Sequence, residues 1–196
     1  MAMRLQEVHP AIVHYPLALL PLSIGADLLG RLTGSEALLA LGRATMPVAA
    51  GSAAVAAAAG LVAQEAVNAE DEALDMLITH RNINLGLVGV ATAMAAWRAK
   101  HEEPSAAYLG LGLLGLAAAT YTAYLGGHMV YELGVGVKAA DGLKPRRAPE
   151  LRADNAGSVA RTAVRDLRRS IPTAIEDTKE GKIIPDVTKR LKRATK

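Results

Sequence analysis

Charged residues in this chain fall into clusters separated by long apolar runs. No Asp, Glu, Lys or Arg stands between Glu7 and Asp27, between Arg43 and Glu65, or between Arg81 and Arg98, and only Glu132 interrupts the interval from Glu103 to Lys138. Each run approaches the ~20 residues that an α-helix needs to cross ~30 Å of hydrocarbon. The pattern predicts four transmembrane helices, over residues 10–31, 43–65, 80–98 and 105–132. The third is the shortest, and its "THRN" start belongs to the interface. The acidic segment "EAVNAEDEALD" (65–75) reads as a solvated extension of the second helix. Asp27, at the far end of the first span, is expected to pair with Arg31, one turn on, or with Arg43. The expected fold class is all-α, an integral membrane four-helix bundle with a basic C-terminal tail.

The tail shows as a reversal of charge. Residues 138–196 hold 16 Lys and Arg against 8 Asp and Glu, whereas residues 1–137 hold 6 against 11. The chain therefore divides into a transmembrane domain, 1–137, and a tail, 138–196, which opens with the Gly/Pro-rich linker "KAADGLKPRRAPE". Within the tail Val159, Ala163, Val164, Leu167 and Ile171 recur at helical spacing, and Arg161, Arg165, Arg168 and Arg169 lie outside that stripe. "IIPDVTKRLKR" reads as another short amphipathic piece. Such a tail suits an anionic lipid leaflet, where each basic residue contributes about 1 kcal/mol near the surface; the alternative is a solvated basic segment. It has no aromatic residue for base stacking, which argues against nucleic acid.

Composition sharpens this picture in two places. Cysteine is absent, so disulfides and thiolate metal sites are excluded. Alanine and glycine are plentiful, as in "GSAAVAAAAG" (51–60), and small residues let helices approach closely in lipid. The N-terminus lacks a signal-peptide pattern, so the first span is expected to stay in the mature protein. No nucleophile–base pair, phosphate loop or glycine-rich nucleotide fingerprint stands out.

Histidines carry the candidate chemistry. An even number of crossings returns the chain to its starting side. His9 and His14 at the start of the first span, His80 at the start of the third and His128 near the end of the fourth are then expected at one leaflet. His101 lies in the loop at the opposite end and reads as an ordinary exposed residue. Ionisable groups inside a membrane usually serve a function; the bland alternative is that imidazoles at helix ends meet water and headgroups. His14, Ala18, Pro21 and Gly25 share a nearly bare face, and Tyr121, Tyr124, His128 and Tyr131 share another, with Gly126 and Gly127 thinning the helix before the imidazole. His9 and His14 are about 140° apart around a helix, and His9 is read as a cap residue before Pro10.

Paired imidazoles in a helical bundle suit haem b, with His14 and His128 as the first axial pair and His9 and His80 as further ligands. Arg81 would meet a propionate, and Tyr124 would orient an imidazole or bond the ligand. A non-haem transition metal held by His14, His128, His9 and His80 is the second reading, although carboxylates are few. A third is a non-catalytic scaffold that docks a partner through the tail. Whether the chain is an enzyme stays open. The partners implied are the bilayer, a redox protein or quinone, and anionic lipid through the tail.

"HPAIVHYPLALLPL" and "GGHMVYELGVGV" resemble the two ends of a bacterial membrane family, domain of unknown function 2231, over about residues 8–138. The positions matching its motifs are His9, Pro10, His14, Pro16, Gly126, Gly127, Tyr131, Gly134 and Gly136; Tyr15 stands where Phe is common. The resemblance implies a four-helix membrane protein of the bacterial inner membrane. Some relatives carry redox domains, which points to electron transfer with a separate partner here. Basic residues favour the cytoplasmic side, so the C-terminus is expected there.

Overall fold

The computed structural model describes residues 4–137 and 152–180. Among them it is helical, in the order α1 (Val8–Ile12), α2 (His14–Thr33), α3 (Glu36–Gln64), α4 (Asp71–Lys100), α5 (Ala106–Tyr131) and α6 (Ala156–Lys179). Three helices are long and apolar enough to cross a membrane: Leu5–Thr33, Glu36–Gln64 and Ala106–Tyr131. The polar start of α4 keeps it outside that group, so three crossings are supported where the charge pattern predicts four. The linker at 138–150 and "IIPDVTKRLKR" lie outside the described residues.

Helix ends depart from the charge pattern for a physical reason. A charge-free run marks where lipid is tolerated, whereas a helix stops where its hydrogen-bond ladder fails. α3 therefore begins at Glu36, well before the apolar run, and ends at Gln64. The acidic segment does not extend it. Asp71 and Glu72 instead open α4, where carboxylates favour the positive end of the helix dipole. α1 and α2 are separated at Val13 because Pro16 has no N–H to give the Ile12 carbonyl. His9 is consequently the second residue of α1 rather than a cap.

The described residues form two compact bodies. The first comprises Gln6–Gly60 and Ile83–Ala123. Its core is Met46, Ala50, Ala91, Met94, Tyr108 and Leu109. Leu32, Val48, Val55 and Leu114 face outward, while Ser23, Asp27 and Arg98 are fully buried. Leucine outside and charge inside is the distribution that lipid, rather than water, favours. The outward Thr45, Thr92 and Thr120 hydroxyls donate to the carbonyls of Leu41, Val88 and Leu116, so none is left unbonded on the apolar surface. Gly34, at φ +71°, ends α2 in a left-handed cap whose N–H bonds the Gly30 carbonyl.

The second body comprises Leu61–Asn82 and the described residues from Tyr124 onward, with Arg4 and Leu5. Met76, Leu125 and Met129 form its core, with Leu77, Leu133 and Val135 packed against them. Gly134, at φ +66°, ends α5, and the Val135 N–H bonds the Met129 carbonyl at 2.8 Å. Those contacts explain "GVGV": glycine turns the chain, and the valine after it packs on the helix just ended. Gly134→Ala must place a Cβ in the left-handed region and is expected to cost about 1–2 kcal/mol, read as a lower unfolding midpoint in detergent.

α6 docks in this second body through an unexpected face. Val159 is buried, but the expected stripe residues Val164 and Ile171 are exposed. The docked side carries Asp166, Ser170 and Ala174. Ser170 Oγ lies 2.9 Å from the Leu61 carbonyl oxygen and 3.0 Å from Glu65 Oε1, so its one proton is shared between them. Asp177 pairs with Arg81 at 3.1 Å.

Candidate functional site

The first body has a polar lock at the end where its helices turn. Asp27 on α2 and Arg98 on α4 form a fully buried ion pair, with Arg98 Nη2 2.8 Å from Asp27 Oδ1 and Nε 3.1 Å from both carboxylate oxygens. Nη2 also donates to the Leu39 carbonyl on α3, and Nη1 to the carbonyls of His101 and Glu102. All five guanidinium protons thus have acceptors, as a charge removed from water requires. Gly42 makes the approach possible, since a Cβ there would lie 2.3 Å from Asp27 Oδ1. Ser23 Oγ donates to the Gly42 carbonyl. Tyr108 Oη is buried near the Asp27 carboxylate without an aligned hydrogen bond to it.

Arg98, and neither arginine expected from sequence, is therefore the partner of Asp27. Arg31 and Arg43 face outward and donate to the carbonyls of Pro104 and Ala99. These bonds bring both interhelical turns of the first body together. His101 is exposed, as expected, and stacks on Trp97 with ring centroids 3.9 Å apart.

His9 lies at the other end of the first body. Its Nδ1 is 2.8 Å from the Ala56 carbonyl oxygen. A carbonyl can only accept, so Nδ1 carries the proton, and a neutral ring keeps its lone pair on Nε2. The ring rests on Gly60, where a Cβ would come within 3.1 Å of it. His14, five residues on, is exposed, as are Ala18 and Pro21 on its bare face. In the same body Thr122 Oγ1 donates to Asn84 Oδ1 at 3.3 Å.

The second body holds the other two imidazoles. His80 rests on Gly126, where a Cβ would lie 3.3 Å from its Cε1. Gly126 thus makes room for His80, beyond thinning the helix ahead of His128. His128 is half-buried, with the exposed Tyr124 ring 5.8 Å away centroid to centroid. Arg81, expected at a propionate, holds the chain's own Asp177 and donates from Nε to Asn82 Oδ1. Among the described residues no group of three or more His, Asp or Glu is placed to hold a metal ion.

A regularity links these features. His9 stands eighteen residues before Asp27, and His80 eighteen before Arg98. Each histidine seats on a glycine near the end of the next long helix, Gly60 and Gly126. The chain thus carries two helical hairpins with the same order of parts, whose corresponding charges are of opposite sign and meet. Sequence reasoning missed this, although the repeated spacing was there to be counted.

The segment containing all these parts coincides with a known family. A family model described as a predicted membrane protein, DUF2231, matches residues 6–139. The chain belongs to the DUF2231 family. In this DUF2231 protein the match spans both hairpins and the Gly134–Gly136 turn and stops before α6. No curated protein and no solved structure matches the chain. Of the motif positions in this DUF2231 chain, Gly126 has an evident steric role under His80, Gly134 caps α5, and Pro16 divides α1 from α2.

Proposed function

We propose that this DUF2231 protein is a multi-pass membrane electron carrier that holds haem b through paired imidazoles near one leaflet. The observation that carries the reading is the seat of His9. A backbone acceptor on Nδ1 fixes tautomer and ring direction, as is usual for a metal-ligating histidine. His80, on its own glycine, is the corresponding residue of the second hairpin. The reading therefore takes His9 and His80, each seated within its own body, as candidate ligands, with His14 and His128 as the competing assignment.

Bound haem would supply a one-electron iron couple that accepts two imidazoles in both oxidation states. The chain's own contribution is to hold the two rings and exclude water. The first body has an interior cavity of only ≈ 20 Å³ among Leu20, Met46, Met94 and neighbours, too small for a macrocycle. The reading accordingly puts the porphyrin outside that core. A separate redox protein or a quinone would exchange the electron, and the basic tail favours a cytoplasmic C-terminus in an inner membrane.

An absorption spectrum of the full chain purified from haem-replete cells tests the reading. A Soret band that shifts on reduction is expected. It should be largely lost in His9→Ala and in His80→Ala and retained in His14→Ala and His128→Ala. A colourless preparation sinks the haem reading. Loss of the band only in the latter two variants moves the ligands to His14 and His128.

A further inference from the structure

We propose that α6 is a membrane-surface helix that binds anionic phospholipid, with Val164, Ile171 and Ile175 entering the acyl boundary and Arg161, Arg168 and Arg169 meeting headgroup phosphates. The proposal rests on the membrane character of the chain and is independent of the haem reading.

The depth of α6 follows from its dock. Ser170 bonds the Leu61 carbonyl, and Leu61 lies in the last turn of α3, one of the helices apolar enough to cross a bilayer. A helix tied there sits where hydrocarbon gives way to headgroups. Its orientation follows from what the dock consumes. The side turned to the protein carries Asp166, Ser170 and Asp177, two of them carboxylates. Asp166 accepts from the neighbouring Arg165, and its other oxygen has no hydrogen-bond partner. Of the apolar residues of α6, only Val159 and Ala174 are buried on this face.

The larger apolar residues Val164, Ile171 and Ile175 are turned away instead. They are 52%, 45% and 51% exposed, and spacings of seven and four put them on one stripe. Beside the stripe, Ala160, Arg161, Val164, Arg165, Arg168 and Arg169 line an open concavity of ≈ 530 Å³. Among the described residues no carboxylate pairs with Arg161, Arg168 or Arg169. An exposed apolar stripe beside arginines is the arrangement of helices that lie in an anionic interface. Arginine also suits phosphate, which it grips with two parallel N–H groups.

Absence of cysteine makes a clean test possible. Val164→Cys, Ile171→Cys and Thr173→Cys each give one attachment point for an environment-sensitive fluorophore on the full chain. The labelled proteins are placed in nanodiscs of phosphatidylcholine, alone or mixed with phosphatidylglycerol. With the anionic lipid, labels at 164 and 171 should become shielded from a neutral aqueous quencher and quenched by a lipid-borne nitroxide. The label at 173 should stay in water. Arg161→Gln/Arg168→Gln/Arg169→Gln should weaken the lipid-bound state about a hundredfold, about fivefold per charge, as should high salt. Among the described residues these arginines hold no carboxylate, so their loss is expected to leave the dock intact. The label at 173 checks this by keeping its spectrum. Labels at 164 and 171 that remain in water in both lipids overturn the proposal. So does shielding that ignores lipid charge and the arginine substitutions.

Discussion

Replacing Arg98 by alanine is expected to destabilise the protein by about 3–5 kcal/mol, the cost of leaving one member of a buried ion pair without the other. Both side chains are fully inaccessible, so water cannot take over the Asp27 charge. The substitution also strips acceptors at Leu39, His101 and Glu102 of their donor. Asp27→Ala should cost a comparable amount, because it buries an arginine with only carbonyls to hold it. The double replacement Asp27→Leu/Arg98→Met is expected to be much milder than the sum, since two apolar side chains need no partners. Unfolding in detergent, followed through Trp97 beside the pair, measures all three. Additive losses in the double variant would mean that the two charges act separately.

Gly42→Ala is the second large effect. Its Cβ would stand 2.3 Å from Asp27 Oδ1 and 3.1 Å from the Asp27 backbone nitrogen, distances that no side-chain adjustment at position 42 can relieve. Either the carboxylate swings out of the Arg98 fork or α2 and α3 separate. The first outcome forfeits the ion pair, so a loss of about 3 kcal/mol or more is expected. The same unfolding measurement checks it. Gly42→Ala in the Asp27→Leu/Arg98→Met background should cost less, because no ion pair is left to forfeit, although a side chain branched at Cγ still meets the new methyl. An equal cost in both backgrounds would mean that steric overlap, rather than loss of the ion pair, sets the effect.

Much of the fold is legible in the spacing of charges, because lipid penalises charge more strictly than any helix propensity operates. The apolar runs mark four of the long helices correctly as helices. Their ends are less legible: α3 begins among charges at Glu36 and α4 at Asp71, since interfacial residues continue a helix without being apolar. The Asp27 partner escapes a local rule that looks four residues ahead. Arg98 is reached only by folding the second hairpin against the first. α6 misleads for another reason. Apolar periodicity normally reveals the face packed on protein, but beside a membrane the apolar side has a second place to go, and Val164 and Ile171 are exposed rather than packed on the protein. At the histidine end the sequence singles out the imidazoles but not Ala56 or Gly60. Nothing in an alanine-rich run tells which carbonyl will meet a ring.

The opposite signs of Asp27 and Arg98 bear on how the hairpins choose each other. Were two first hairpins to associate in the same way, from neighbouring molecules, two carboxylates would face one another without water; two second hairpins would bury a pair of guanidinium groups. Either mismatch is far costlier than the pairing within one chain. Hairpins that share an order of parts but carry opposite charges are thereby biased to pair within one chain rather than with copies of themselves.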